Sequence, residues 1–419
     1  MLYDRWRQIA QANHAEMALR ETAGGRSWTF AQLADAAESI CLPPGPFIFP
    51  QGISADFILT VLAGWREGRV VCPLDAGQEP LAAFSPPSGC SHLKMTSASN
   101  GFARPVAFTA GQLAADPANI VASMGLRPDW PNLGVISLAH SYGFSNLVLP
   151  LLLHGIPLVL VMSHLPEALR AAAEGLPAVT LAAVPVLWRV WDEADAIPGS
   201  VRLAISAGAP LPLPLELQIY ERCGLKVHNF YGASECGGIA YDRTTVPRTD
   251  ASCVGQAIDN VQLSIGAGGC LVVGGGAVGQ AYVPDEDAVL RDRCFRTTDL
   301  VEIRDGIVHL RGRVGDLINI AGRKLPPETV ERALLTHPDV GECLVFGAPS
   351  NDSTRNDVGV AIIVPRRAID GEALRQHLSH ALPAWQIPRE WRFVKSLPTN
   401  ARGKLSRAEW RQRFCAGDA

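Results

Sequence analysis

Four short polar segments carry residue types suited to phosphate and carboxylate chemistry. The first is Thr96-Ser97-Ala98-Ser99-Asn100-Gly101-Phe102-Ala103-Arg104. Its hydroxyls, small residues and terminal cation could wrap polyphosphate oxygens, because small side chains let backbone N–H donors approach closely. An ordinary Ser/Asn turn has the same composition. The second, Tyr231-Gly232-Ala233-Ser234-Glu235, follows the run VHNF and offers a stacking face, a hydroxyl and a hard oxygen ligand for Mg²⁺. A strand-end turn with a solvated Glu235 accounts for it equally well. In the third, Asp299 of FRTTDL could accept hydrogen bonds from a vicinal diol, and Arg313 of GRVGD could offer a fork to hydroxyls or phosphate. Singly, each also reads as half of a surface salt bridge. The fourth, Gly403-Lys404 in PTNARGKL, could set an ammonium against a carboxylate or α-phosphate as negative charge builds. The only lysines are Lys94, Lys226, Lys324, Lys395 and Lys404, which weighs against Lys404 as surface filler.

Other motifs carry less. Gly274-x-Gly276-x-x-Gly279 follows the run CLVV and has Asp299 about 20 residues on, as a dinucleotide fingerprint requires. The helix that should follow is missing, since QAYVPDED has an early proline and no apolar period, so a glycine-rich turn is expected. An NAD-dependent oxidoreductase would rest on this pattern alone, and absence of NAD(H) binding would remove it. Ser234 lies in Gly-Ala-Ser-Glu-Cys-Gly rather than G-x-S-x-G, which gives a serine hydrolase little support. Neither H-E-x-x-H nor a Cys/His ligand set is present.

These segments must be positioned by a large scaffold. Over the first 230 residues, continuous Val/Ile/Leu runs alternate with helical stretches, as in FILTVLAGWREG–VVCPLD and VTLAAV–PVLWRVWDEA–VRLAISAG. That alternation predicts parallel sheets covered on both faces. From about Val254 the texture turns to short strands and glycine turns. After Leu310 a tail of about 105 residues reads helix–strand–strand–helix–strand, a small α+β unit. The segment RGRVGD (311–316) marks the boundary.

Composition bounds the function classes. The chain has 419 residues, 47% hydrophobic and 19% charged, enough for two or three domains with large cores. A net charge of -4 argues against a nucleic-acid binder. Ten cysteines without C-x-x-C suit a reducing, cytoplasmic setting. The N-terminal stretch lacks the apolar core of a signal peptide. Residues 134–162 carry no charged side chain, but His140, Asn146, Pro150 and Pro157 break them into strand, loop, helix, turn and strand. Buried core is expected there, with no membrane span.

Taken in order, the four segments resemble the adenylate-forming superfamily of acyl-CoA synthetases, aryl-acid ligases and peptide-synthetase adenylation domains. GRSWTFAQL (25–33), GRVVCPLD (68–75), SAGAP (206–210), GRVGDLINIAGRKLPPETVE (312–331) and LPAWQIP (382–388) add to the likeness. The resemblance implies activation of a carboxylic acid with Mg-ATP and acyl transfer to a thiol of CoA or of a carrier-protein phosphopantetheine. It implies Ser97, Ser99, Asn100, Gly101 and Arg104 on the triphosphate, and Gly208, Ala209, Pro210 and Tyr231 around adenine. Ser234 would touch the α-phosphate and Glu235 would hold Mg²⁺. Asp299 and Arg313 would hold the ribose, and Lys404 would bridge the acid and α-phosphate. His140 would gate the acyl pocket, Gly315 would be the hinge, and Gly322 would face the pantetheine arm.

The fold implied is α/β: a large two-sheet N-terminal domain (1–312) with a small distorted β-barrel, plus a small mobile α+β domain (316–419), the active site lying between them. The sequence departs from the family's T-S-G-T-T-G-x-P-K at Ala98, Asn100, Ala103 and Arg104, where arginine keeps the charge but not the compact ammonium. Thr298 stands where T-G-D has glycine. The chain is some 100 residues shorter than many relatives, all of it before residue 96. The segment between His140 and Val184 is expected to line the acyl pocket, and the Leu, Val, Phe144 and nearby Trp188 there suggest a small apolar acid, aromatic or fatty. CoA is favoured as acceptor because Gly315 to Glu331 resembles stand-alone acyl-CoA synthetases; the alternatives are an acyl-carrier-protein ligase and a nucleotide-binding relative without full activity.

Overall fold

The apolar runs form the strands that their continuity predicts. In the computed structural model, which describes residues 1–81, 84–96, 104–284, 287, 289–349, 357–397 and 406–416, two compact units emerge. The first comprises Met1–Ser264, Val272–Thr297 and Asp305–Val308; the second comprises Ile265–Leu271, Thr298–Arg304 and His309–Ala419. The chain thus passes between units more than once within the short strands after Val254.

In the first unit, Val227–Ala233, Val201–Ser206, Val179–Ala183, Asn132–Gly134, Leu158–Leu160 and Met17–Glu21 lie side by side in that order, all parallel to their neighbours. Antiparallel strands flank them, Gly237–Tyr241 at one side and Ser27–Thr29 at the other. A second, mixed sheet has the order Ala281–Tyr282, Pro105–Thr109, Cys90–Met95, Val70–Val71, Phe47–Ile48. Helices bury their apolar sides in a core that includes Trp6, Phe30, Phe57, Phe144, Trp188 and Trp191. Two of these helices, Phe30–Glu38 and Ala110–Met124, start with capping boxes, Thr29/Gln32 and Thr109/Gln112.

The uncharged 134–162 stretch is buried core, as expected, but its first strand is Asn132–Gly134, ending before most of the GVISL run, and its helix starts earlier. Residues 141–154 are continuously helical, with a π-helical turn over Phe144–Val148. Pro150 explains the local irregularity. Lacking an N–H, it leaves the carbonyl of Asn146 without its helical donor, and the Asn132 amide supplies one at 3.2 Å. The loop that AHSYG suggests is confined to the residues before Ser141.

In the second unit, Val340–Pro349, Asp357–Pro365 and Glu390–Phe393 form a three-stranded sheet. Strand alternation sorts its faces. Val345, Ala361 and Ile363 pack against Val330, Leu334, Leu374 and Leu378 of helices Pro327–Leu334 and Gly371–Ser379. Leu344, Phe346, Val360 and Ile362 pack against Trp410 of helix Arg407–Ala416. Arg407 ties this unit together, bonding Asp316 and Glu328 at 3.1 Å, Glu331 at 2.7 Å and the Val345 carbonyl. Burial pushes the Glu331 carboxyl up in spite of that guanidinium.

One buried ion pair spans the first unit. Lys94 and Asp116 are 3% and 1% exposed and 2.9 Å apart, and Ser145 bonds both. The other Asp116 oxygen accepts the Gly238 N–H at 3.1 Å. A Cβ on Gly237 would lie 2.0 Å from this carboxylate, so the turn beyond Glu235 is built around Asp116. Removing one partner of such a pair strands a buried charge. Lys94→Met should therefore cost about 3–5 kcal/mol in urea unfolding, and Lys94→Met/Asp116→Asn, which keeps an acceptor for Gly238, should recover more than half. A single-variant cost below about 1 kcal/mol would show the pair to be solvated.

His154 gives a pH dependence. Burial and the neighbouring Arg5 guanidinium, 3.3 Å from Nε2, lower its imidazole from 6.5 to about 4. The folded state resists protonation, so this contribution is intact above pH 6.5 and is lost as pH falls toward 4. Fully buried His92 is lowered for the same reason, with Lys94 adding to it. Unfolding free energy should decline across that window, and His154→Gln should flatten the decline by roughly 1–2 kcal/mol. An unchanged pH profile in the variant would contradict the assignment.

Candidate active site

Strands Val227–Ala233 and Gly237–Tyr241 pair through a tight turn that presents Ser234 and Glu235, with a register shift between Tyr231 and Gly232. A Cβ at Gly232 would come within 2.7 Å of the Gly237 carbonyl, so the turn needs glycine there. Four bonds fix it. Ser234 Oγ donates to the Met95 carbonyl at 3.4 Å, and Gly238 N–H is held by Asp116. The Glu235 carbonyl accepts from Gly279 N–H at 2.8 Å, and its Oε1 accepts from the Tyr282 hydroxyl at 2.8 Å. Burial and then the Glu235 charge push the Tyr282 phenol up, so it stays a proton donor. The glycine-rich stretch 274–279 is the turn expected of it: it leads from strand Cys270–Gly275 into strand Ala281–Tyr282 without a helix.

Glu235 fits a magnesium ion. That ion usually takes one or two protein carboxylates, with phosphate oxygens and waters completing its shell. Glu235 is half-buried with Tyr282 bonding one of its two oxygens. Among the described residues, no group of three or more His, Cys, Asp or Glu is arranged to hold a metal by protein ligands alone.

Of the residues expected on the triphosphate, Ser97, Ser99, Asn100 and Gly101 lie outside the described residues, as does Lys404. The base of that loop is clear. Thr96 and Arg104 close it with two 2.9 Å bonds, Thr96 N–H to the Arg104 carbonyl and Arg104 N–H to Thr96 Oγ1. The Arg104 guanidinium stacks 4.0 Å from the Tyr282 ring centroid and pairs with Asp287 at 3.1 Å.

Gly208, Ala209 and Pro210 follow strand Val201–Ser206, with Gly208 at φ +86°. They are exposed or half-buried, and Tyr231 is half-buried. A buried charge network fixes the stretch behind them. Arg248 donates to the Leu211 carbonyl at 2.8 Å and to Glu216 at 2.9 Å, while Lys226 bonds Glu216 and, at 2.6 Å, Asp242.

His140 caps the helical stretch beginning at Ser141 and lies 3.3 Å from Asp75, which accepts Ser137 Oγ at 3.0 Å. Asp75 is the last residue of the GRVVCPLD motif. Two residues after His140, burial pushes the Tyr142 phenol up, and its hydroxyl lies 3.4 Å from both the Ala183 and Ile205 carbonyls as a shared donor.

The second unit holds the remaining residues. Arg313 Nε lies 2.6 Å from Asp299 Oδ1, with the Asp299 side chain 12% exposed and Arg313 48% exposed. Gly322 and Ala321 form the two-residue turn of the hairpin Ile318–Ile320/Arg323–Leu325, both with positive φ, and Asn319 accepts the Gly322 N–H at 3.1 Å.

The first unit thus gathers Arg104, Ser234 and Glu235 around Tyr282 and Met95, while Asp299 meets Arg313 in the second. Sequence reasoning missed Tyr282, Asp116 and the Asp75–His140 pairing. Lys94 carried one signal, the scarcity of lysine. Tyr282 carried none, because its partner is 47 residues away in the turn between two other strands.

Residues 87–283 match the family model for the AMP-binding enzyme, and 329–404 match that for the AMP-binding enzyme C-terminal domain. A feruloyl-CoA synthase of Amycolatopsis sp is 30% identical over 345 residues, 77% of this chain and 69% of that protein. A 2-succinylbenzoate–CoA ligase of Bacillus cytotoxicus is 29% identical over 76% of this chain and 69% of its own length. ATP-bound MatB from Rhodopseudomonas palustris has the same fold, with a TM-score of 0.86 at 19% identity, covering 100% of both chains. The chain belongs to the AMP-binding enzymes of the adenylate-forming superfamily.

Proposed function

We propose that this protein is an acid–thiol ligase that activates a small carboxylic acid as its acyl-adenylate and passes the acyl group to a thiol, with CoA as the favoured acceptor. Family membership supports the reaction type, and the observation that carries it to this chain is the braced Ser234–Glu235 turn inside the matched region 87–283. The names of the relatives, CoA ligases and synthases, support CoA over a carrier protein.

The chemistry follows from the acid. A carboxylate is a poor acyl donor, and joining it to AMP supplies a good leaving group. Attack of the acid on the α-phosphate with loss of pyrophosphate concentrates charge there, where donors and cations must already stand. Ser234 would donate to the α-phosphate, Glu235 would hold Mg²⁺, and Lys404 would bridge acid and α-phosphate. Bound Mg²⁺ would supply charge neutralisation on the phosphate oxygens. Arg104, with Ser97, Ser99, Asn100 and Gly101, would contact the triphosphate. Gly208, Ala209, Pro210 and Tyr231 would frame adenine, and Asp299 would accept from the ribose hydroxyls with Arg313 beside it. His140, positioned by Asp75, would gate the acyl pocket, and Gly322 would face the pantetheine arm. Residues 1–312 would bind acid and ATP, and 316–419 would form the smaller domain that moves about Gly315 between half-reactions.

Pyrophosphate release should appear with Mg-ATP and one class among aryl and C2–C12 acids, and rise when CoA is added. Lys404→Ala should lower the adenylation rate by at least 100-fold, on the order of one electrostatic contact, while ATP still binds by calorimetry. Release without CoA stimulation would favour a carrier protein. Nucleotide binding without release for any acid would favour the non-ligase relative.

A further inference from the structure

We propose that Tyr282 is a positioning residue for the metal ligand: its hydroxyl holds Glu235 Oε1 and leaves the other carboxylate oxygen directed to the cation that accompanies ATP. The inference rests on the reading of Glu235 as that cation's ligand. A carboxylate binding a hard cation through one oxygen keeps its rotational freedom unless the other oxygen is engaged. Partners that orient a ligand in this way are a recurrent determinant of metal affinity.

Three features fix the phenol. The strand Ala281–Tyr282 is laddered to Pro105–Thr109, with Ala281 opposite Ala107 and Tyr282 opposite Val106. Gln280 N–H to the Ala107 carbonyl at 2.7 Å and Val283 N–H to the Pro105 carbonyl at 3.0 Å bracket that ladder. The Arg104 guanidinium covers the ring at 4.0 Å and is itself held by Asp287. Finally, Gly279 bonds the Glu235 carbonyl at 2.8 Å, so one short segment grips both the backbone and the side chain of Glu235. A Cβ on Gly279 would lie 2.6 Å from Val106 Cγ1 and 3.1 Å from that carbonyl, which keeps the segment close. The final glycine of the 274–279 pattern is thereby accounted for. Because Arg104 closes the phosphate loop, the ring also joins that loop to the metal ligand through one side chain.

The test compares wild type, Tyr282→Phe, Gly279→Ala and Glu235→Gln. Tyr282→Phe keeps the ring beneath Arg104 and removes only the hydroxyl. Binding of Mn²⁺ to the protein–ATP complex, without acid, is followed by electron paramagnetic resonance, and thermal unfolding serves as the fold control. Tyr282→Phe should weaken Mn²⁺ binding about tenfold. It should raise the Mg²⁺ concentration for half-maximal pyrophosphate release by the same factor, with a smaller effect on the rate at saturating Mg²⁺. Gly279→Ala should shift both quantities in the same direction. If Glu235→Gln weakens Mn²⁺ binding but folded Tyr282→Phe and Gly279→Ala do not, the positioning role is overturned and the reading of Glu235 stands. If Glu235→Gln has no effect, both fall together.

Discussion

The turn carrying Ser234 and Glu235 is held from three directions, and the placement of the candidate chemistry depends on that restraint. Asp116 takes the Gly238 N–H, the Met95 carbonyl takes the Ser234 hydroxyl, and the segment 279–282 takes both ends of Glu235. Asp116 can act as a buried acceptor because Lys94 balances its charge and the Ser145 hydroxyl donates to it. The ion pair beneath the turn and the phenol beside it therefore belong to one arrangement. A carboxylate meant to meet a cation and phosphates gains from being oriented before they arrive, since no reorganisation is then needed at the moment of reaction.

This arrangement also makes sense of arginine at the end of the 96–104 segment. Arginine at 104 cannot act as a compact ammonium, but its planar guanidinium can stack on an aromatic ring, which lysine does less well. Tyr282 supplies that ring, and Asp287 takes the charge at the edge. The substitution thus has a local rationale. The cation closing the loop is held by the same side chain that holds Glu235.

Much of the scaffold was legible in the sequence. The alternation of Val/Ile/Leu runs with helical stretches gave the parallel strands, and the 327–393 tail gave its helices and strands in order, because both signals are local. Helix 141–154 begins earlier than AHSYG suggested, and it carries Pro150 with a π turn and the Asn132 amide at the Asn146 carbonyl. The site was legible only where a motif is contiguous. Glu235 and Asp299 stood out within their segments, whereas Tyr282 matters through an antiparallel pairing set 176 residues earlier in the chain. Asp75 and His140 likewise meet across 65 residues, in a contact that no contiguous motif contains. Lys94, one of five lysines, drew notice by its rarity, yet its burial against Asp116 depends on packing that no local pattern reveals.

The central claim is that the acid is activated at the α-phosphate. It is tested most directly by following the oxygen of the acid. With a carboxylate labelled with ¹⁸O, Mg-ATP and CoA, the account predicts one labelled oxygen in the AMP released, found by mass spectrometry. Label appearing in inorganic phosphate instead, or AMP forming without label, would contradict it.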